Sequence, residues 1–277
     1  MHTALLIAAA ISLIPFLWLA CASVKTSEKL FEHPFLPWAE IGHWITGHGP
    51  CPLTSDNYIQ LFAREPFLRW MWNSLFLSAT QTVLTVVLGS MGGFALAKYS
   101  FPGKRLIMGL MVLTMLLPSQ VLLPSTYELM YRLGWVNSYL AILVPAAVSV
   151  FGIFLFRQAM TSVPDELLLA ARVDGCSELR LWWDIAMPVV RPMTGAYTLM
   201  SFLAGWNSYL WPQVVLQDEG KFTLPLGLAN MAGMATYQGN YGILMAGTLL
   251  SLLPVIALFF WLQNDFVAGL TEGALKG

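Results

Sequence analysis

Charged side chains make up 10% of the 277 residues and hydrophobic types 57%, against about 25% charged in an ordinary soluble domain. That balance excludes a soluble globular protein and points to a membrane protein. A formal net charge of -1 gives no overall attraction to nucleic acid. Cys21, Cys51 and Cys176 are too few and too scattered for a disulfide framework or a zinc site.

A bilayer core about 30 Å thick needs roughly 20 apolar helical residues. Stretches free of Asp, Glu, Lys and Arg place five spans at about 4–24, 72–96, 106–126, 138–156 and 193–215. The first is read as a retained span and not a signal peptide, because Met1-His2-Thr3 carries no Lys or Arg. No charge lies between Lys221 and Asp265, a run too long for one span. Its first half, LGLANMAGMATYQGNYG, is rich in Gly, Asn, Gln and Tyr, so it is assigned to an outer loop that dips back into the protein, and the sixth span to about 243–263. In span two, Gly89 and Gly93 form a GxxxG, read as close packing within the chain.

Six spans put both termini on one side. With the N-terminus inside, Lys98, Lys104, Arg105, Arg157, Arg172, Arg180, Arg191 and Lys276 fall on inner segments, and Lys25, Lys29, Arg64, Arg69, Arg132 and Lys221 on outer ones. The inner density is about twofold higher, which favours cytoplasmic termini. An outer segment, 25–71, and an inner connection from Arg157 to Arg191 stand out by their length.

The spans contain no ionisable group, which argues against a proton- or sodium-coupled carrier. His43 and His48 in HWITGH do not share a helix face and read as a solvated loop. There is no GxxxxGK[ST] phosphate loop. If ATP drives this protein, another chain must bind it.

The inner connection, RQAMTSVPDELLLAARVDGCSELRLWWDIAMPVVRP, is punctuated as two short helices around a tight corner. Pro164 followed by Asp165 and Glu166 starts a helix with acidic groups at the positive end of its dipole. Asp174-Gly175 stops it, Ser177 can cap a second helix, and Pro188 breaks that helix after Leu181 and Ile185. Leu167, Ala170, Ala171 and Asp174 recur at helical spacing and form one face with small residues at its centre. From periodicity alone, that face fits either an interfacial helix on the bilayer or a partner surface.

This segment resembles the EAA loop of ABC importer permeases: Glu-Ala-Ala, three residues, Gly, nine residues, Ile-x-Leu-Pro. The chain has Ala170-Ala171, then Gly175, then Ile185-Ala186-Met187-Pro188 at that spacing. Leu169 stands in place of the glutamate and Met187 in place of the leucine. Glu166, three residues before Leu169, lies on the same side of the helix and can supply the missing carboxylate. The resemblance narrows to the second permease subunit of carbohydrate importers of the maltose and glycerol-phosphate type through NYIQLF, RWMWNSL, FALAKYSFPGKR, GWNSYLWP, FTLPLGL and the tail FVAGLTEGALKG.

The resemblance implies an all-α integral membrane protein, a single polytopic permease domain over 1–277 with a cytoplasmic coupling loop at 157–191. The chain would not be an enzyme and would bind no cofactor itself, ATP and Mg²⁺ being held by partner ATPase subunits. Its partners would be a second permease subunit, two copies of an ATP-binding subunit, an extracytoplasmic solute-binding protein and the lipid membrane. Glu166, Leu169, Ala170, Ala171, Asp174, Gly175, Ile185 and Pro188 would form the ATPase-docking surface. The tail Leu275, Lys276 and Gly277 would make a secondary contact. The cargo would be a sugar or polyol, or alternatively glycerol phosphate or another small polar solute. Trp206, Asn207, Tyr209 and Trp211 combine aromatic faces with hydrogen-bonding groups and are candidates for the solute path. Interfacial anchoring is the competing account for the two tryptophans. A polytopic membrane enzyme or insertion factor is the reading from a different class.

Overall fold

The structure is a computed structural model that describes residues 2–26, 29–30, 32–33, 35–48 and 51–274. Its helices, in chain order, are α1 (His2–Ser23), α2 (Trp38–Ile45), α3 (Asp56–Arg64), α4 (Phe67–Lys98), α5 (Lys104–Met115), α6 (Leu123–Arg132), α7 (Leu140–Ala146) and α8 (Val150–Met160). They continue as α9 (Asp165–Val173), α10 (Glu178–Arg180), α11 (Met187–Val189), α12 (Arg191–Trp206), α13 (Leu210–Val215), α14 (Leu224–Gln238), α15 (Tyr241–Ser251) and α16 (Leu253–Ala274). A π-helical stretch, Leu181–Ala186, joins α10 to α11, and a short 3₁₀ turn, Ser119–Leu122, precedes α6. Among the described residues there is no strand.

Four helical stretches are long and apolar enough to cross a membrane: Leu5–Ser23, Phe67–Lys98, Leu140–Met160 and Tyr241–Gln263. The expected third span is bent by 94° between Lys104–Met115 and Ser119–Arg132. Pro118, which has no N–H to continue the first helix and sits in extended backbone, accounts for the break. If that pair is one span, the number becomes five. The stretch expected to be span five, 193–215, is two helices, because α12 stops at Trp206 and the chain restarts at Leu210. The segment assigned to a dipping outer loop forms α14, with Pro225 in its first turn where no N–H is needed.

The chain divides into two compact units, one of residues up to Asn73 with Phe222–Ile256, the other of Ser74–Lys221 with the residues from Ala257 onward. In the first unit, α15 packs against α1, α3 and α14. Asn57 of α3 is buried and donates from Nδ2 to the carbonyls of Ser23 (2.8 Å) and Lys25 (2.7 Å), which closes the end of α1. Lys25 is itself buried, its ammonium donating to the carbonyls of His33 (2.6 Å) and Leu30 (3.3 Å), and burial lowers its pKa. Gly227 of α14 lies flat on the Trp70 ring, where a Cβ would come within 2.2 Å. Small residues here are packing devices, and this is why a Gly-rich polar segment is helical.

The second unit is built on α4. At about 1.5 Å per residue its 32 residues exceed the hydrocarbon thickness. Ser74, Ser78, Thr82, Thr85 and Ser90 are buried along it. Thr82 donates back to the Ser78 carbonyl (2.7 Å) and Thr85 shares a hydrogen bond with Ser201 of α12 (2.8 Å). Such bonds satisfy the Thr82 and Thr85 hydroxyls, which would otherwise be costly to bury, while the Ser78 hydroxyl is buried without a partner among the described residues. Gly89 and Gly93 both face α8, and a Cβ on Gly93 would lie 2.6 Å from the Arg157 nitrogen and from Phe156 Cβ. Gly152 of α8 in turn admits the Tyr197 ring, its phenol oxygen 2.2 Å from where a Cβ would stand.

Candidate coupling corner and solute cavity

The connection after α8 begins with a turn, and α9 starts at Asp165 directly behind Pro164. Its last turn closes as a Schellman motif: Gly175 N–H donates to the Arg172 carbonyl (3.0 Å) and Cys176 N–H to the Ala171 carbonyl (2.9 Å). Gly175 takes φ of +82°, the left-handed conformation that the sequence predicts there and that other residues adopt only under strain. Ser177 occupies the N-cap position in extended backbone but makes no capping hydrogen bond with its side chain. The second helix does not break at Pro188. The π-helical turns at Leu181–Ala186 widen the ladder just before that proline, and widening relieves the clash and the missing donor that a proline imposes on a regular α-helix. The helix then ends at Val189.

One side of this corner is rooted in the core of the second unit. Leu168, Ala171, Leu181, Trp182 and Ala186 are buried among Phe94, Phe156, Met160 and Tyr197, with Ile185 and Cys176 half-buried beside them. Ala171 therefore faces inward with Leu168, and the expected face of Leu167, Ala170, Ala171 and Asp174 is split. The side away from the core carries Glu166, Leu169, Ala170 and Val173 at helical spacing, together with Asp174, Gly175 and Pro188, all exposed. Leu169 is 57% and Val173 88% accessible, and Leu167, Leu179 and Trp183 are also open.

Polar ties hold the corner to the end of α4. Lys98 Nζ donates to the Val163 carbonyl (2.5 Å) and to Asp165 Oδ1 (2.7 Å). Arg172 donates from Nε to Glu178 Oε1 (2.9 Å) and from Nη2 to Oε2 (3.1 Å). The Tyr99 hydroxyl donates to the same Oε2, and the Arg172 guanidinium lies 6.0 Å from the Tyr99 ring centre. These bonds to Arg172 and then Tyr99 hold the Glu178 carboxyl down to about 2. Burial, then the neighbouring Glu178, raises the Tyr99 phenol above its usual value, so it stays a donor at neutral pH. Sequence reasoning missed Lys98, Tyr99, Arg172 and Glu178 as a group. The only trace was an acid and a base six positions apart across a glycine stop.

The four aromatic and amide candidates separate. Trp206 is buried and stacks on Phe202 with ring centres 5.7 Å apart, and Asn207 caps α12 through a bond from Nδ2 to the Leu203 carbonyl (3.0 Å). Tyr209 and Trp211 instead line a cavity of about 440 Å³ with Gln81, Ser119, Gln120, Thr126 and Ser208. The Trp211 indole N–H donates to the Ala141 carbonyl (2.8 Å), which fixes its ring in the wall. The break at 207–209 thus opens polar backbone beside a cavity, where irregular structure within a membrane is tolerated. Leu275, Lys276 and Gly277 lie outside the described residues.

Residues 85–271 match the family described as "Binding-protein-dependent transport system inner membrane component". The arabinooligosaccharides transport system permease protein AraQ of Halalkalibacterium halodurans is 37% identical over 96% of this chain and 92% of its own length. The lactose transport system permease protein LacG of Rhizobium radiobacter is 31% identical over 99% and 95%. The sn-glycerol-3-phosphate transport system permease protein UgpE of Salmonella typhi is 30% identical over 98% and 95%. A solved bacterial ABC transporter involved in the import of the acidic polysaccharide alginate has a chain of the same fold, with TM-score 0.79 and 22% identity over 96% of this chain and 94% of that one. With this family match over most of its length, and with apolar helices long enough to cross a bilayer, the chain belongs to the inner membrane components of binding-protein-dependent transport systems.

Proposed function

We propose that the chain is the membrane-spanning permease subunit of an ATP-driven ABC importer for a sugar or related polyol, and that its 277 residues work as one polytopic domain. Six spans, with α12 and α13 together supplying the fifth and both termini in the cytoplasm, complete the topology. The chain pairs with a second permease. Two copies of an ATP-binding subunit, which hold ATP and Mg²⁺, drive it from inside, and a solute-binding protein delivers cargo from outside. It carries out no chemistry of its own.

The observation that supports this reading best is the two-sided corner at 165–189. Its inner side is continuous with the helix core, and its outer side exposes Leu167, Leu169, Val173, Leu179 and Trp183 beside the carboxylates Glu166 and Asp174. Exposed apolar residues concentrated on a polar-rimmed knob are what a partner surface requires. In the proposed mechanism the ATP-binding subunit grips that knob. ATP-driven closure moves it, and the rigid ties at Lys98 and Tyr99 pass the displacement to α4 and so to the cavity at Tyr209 and Trp211. That cavity, with aromatic walls and scattered hydroxyls and amides, falls in the size range of small-ligand sites and suits a solute with both C–H faces and hydroxyls. Tail residues Leu275, Lys276 and Gly277 add a second contact to the ATPase.

A cysteine placed at Leu169 should crosslink to the ATP-binding subunit in the assembled transporter. Leu169→Arg should abolish assembly and uptake together. If Glu166→Gln leaves assembly and uptake unchanged while Leu169→Arg abolishes both, the apolar contact and not the charge is the principal attachment. Absence of any crosslink from 169, with the complex intact, would refute the docking role.

A further inference from the structure

The turn after α4, the start of α5 and the last turn of α8 border an open cavity of about 700 Å³. Its polar wall is Ser100, Lys104, Arg105 and Arg157, its apolar wall includes Leu106 and Met108, and no carboxylate lines it. Lys104 uses one donor on the Tyr99 carbonyl (2.9 Å). Arg105 and Arg157 make no hydrogen bond or ion pair among the described residues, and Arg157 Nε is shut away from solvent without an acceptor. Three cations thus line one cavity with no carboxylate among its lining residues, an excess of charge that an anion would offset.

Two further features say what kind of anion fits. Lys104 and Arg105 form the first turn of α5, behind Gly103 at φ of +86° and with no side-chain cap, so two cations stand at the positive end of a helix dipole where an acid is normally favoured. From the cavity mouth, α5 runs on with Leu106, Leu110 and Leu113 exposed at 68%, 52% and 57%, an apolar stripe suited to acyl chains. Soluble phosphate has no use for that stripe.

We infer that this cavity holds the phosphate headgroup of an anionic membrane lipid, with Arg105 and Arg157 as its charged donors and the acyl chains lying along Leu106, Leu110 and Leu113. The inference needs the chain to be membrane-embedded but does not depend on what it transports. A lipid so held would brace α5 against α8 beside the Lys98 and Tyr99 ties of the coupling corner.

Native mass spectrometry of the full-length chain, purified in detergent with the subunits that accompany it, tests this with phosphatidylglycerol and phosphatidylcholine as probes. The wild type should retain phosphatidylglycerol in preference. Arg105→Gln and Arg157→Gln should each weaken retention by about tenfold, the loss expected for one charge-assisted contact. Arg157→Lys, which keeps the charge and guards against a folding defect, should stay within about threefold. Equal retention by the wild type and both glutamine variants would overturn the site. Equal retention of the two lipids would remove the anionic requirement. Displacement of phosphatidylglycerol by millimolar inorganic phosphate alone would assign the site to free phosphate and overturn the lipid.

Discussion

Arg172 at the end of α9 and Glu178 at the start of α10 clasp each other across Gly175 through two parallel hydrogen bonds of 2.9 and 3.1 Å. Tyr99, from the segment just after α4, shares the same carboxylate. The corner is therefore closed by backbone at the glycine, by charge over it and by a phenol beneath it.

The clasp has a defined pH window. Glu178 has a pKa lowered to about 2, so its contribution is fully present above the ordinary carboxylate value near about 4.3 and is lost as pH falls through about 2. Hydrogen exchange at the Gly175 and Cys176 amides, corrected for intrinsic rates, should be unchanged between about pH 5 and 8 and should rise below about pH 4. Glu178→Gln should show the raised exchange already at pH 7.

Gly175 at φ of +82° makes the corner sensitive to which residue stands there, Asn being the side chain that best accepts this conformation. Nothing stands within 4 Å of where a Cβ would lie, so the penalty is conformational and not a clash, about 1–2 kcal/mol for an ordinary residue. Gly175→Asn should be tolerated, Gly175→Ala should weaken coupling, and Gly175→Val should uncouple ATP hydrolysis from uptake. Assays of both activities on the assembled transporter check this order. Normal stimulated hydrolysis and uptake in the valine variant would contradict it.

Gly93 and Gly89 differ although they share one motif. A Cβ at Gly93 would meet α8 at 2.6 Å and one at Gly89 at 3.5 Å. Gly93→Ala should destabilise by about 1–3 kcal/mol through overpacking, visible as a lower thermal midpoint in detergent. Gly89→Ala should leave the midpoint within error.

Tyr209 and Trp206 should separate binding from stability. Tyr209→Ala removes an aromatic wall of the cavity and should raise the KM for uptake by about tenfold with assembly intact. Trp206 is stacked in the core, so Trp206→Ala should lower stability by about 3–5 kcal/mol without a specific effect on KM in the molecules that assemble. Asn207→Leu removes a helix cap and should leave KM unchanged.

These contrasts also show which features are local enough to read in advance. Gly175 was legible because a left-handed stop depends on one residue and its immediate neighbours. The inward face of α9 was not. Leu167-Leu168-Leu169-Ala170-Ala171 is apolar nearly all round, so periodicity cannot choose between Ala170 and Ala171, and the choice is made by a cluster to which Phe94 and Tyr197 come from distant parts of the chain. Counting charge-free residues found α4 and the first and last long helices but could not foresee the bend at Pro118 or the stop at Asn207, where backbone continuity and not apolarity is interrupted. The Gly- and Asn-rich run before α15 read as an outer loop because its polar groups cannot face lipid, whereas it is helical and Gly227 is there to admit Trp70.

The wide turns at Leu181–Ala186 make the second coupling helix one notch out of phase with a regular coil. Trp182 is buried and its neighbour Trp183 exposed at 57%, and the surplus residue sets which indole points where. Removing a single residue from that stretch would close the wide turns into a regular coil and re-aim the side chains within it, Trp182 and Trp183 among them, while the residues beyond, Val190 included, kept their facing. Length between the glycine stop and the proline is thus a calibrated spacer, as consequential as the side chains it carries.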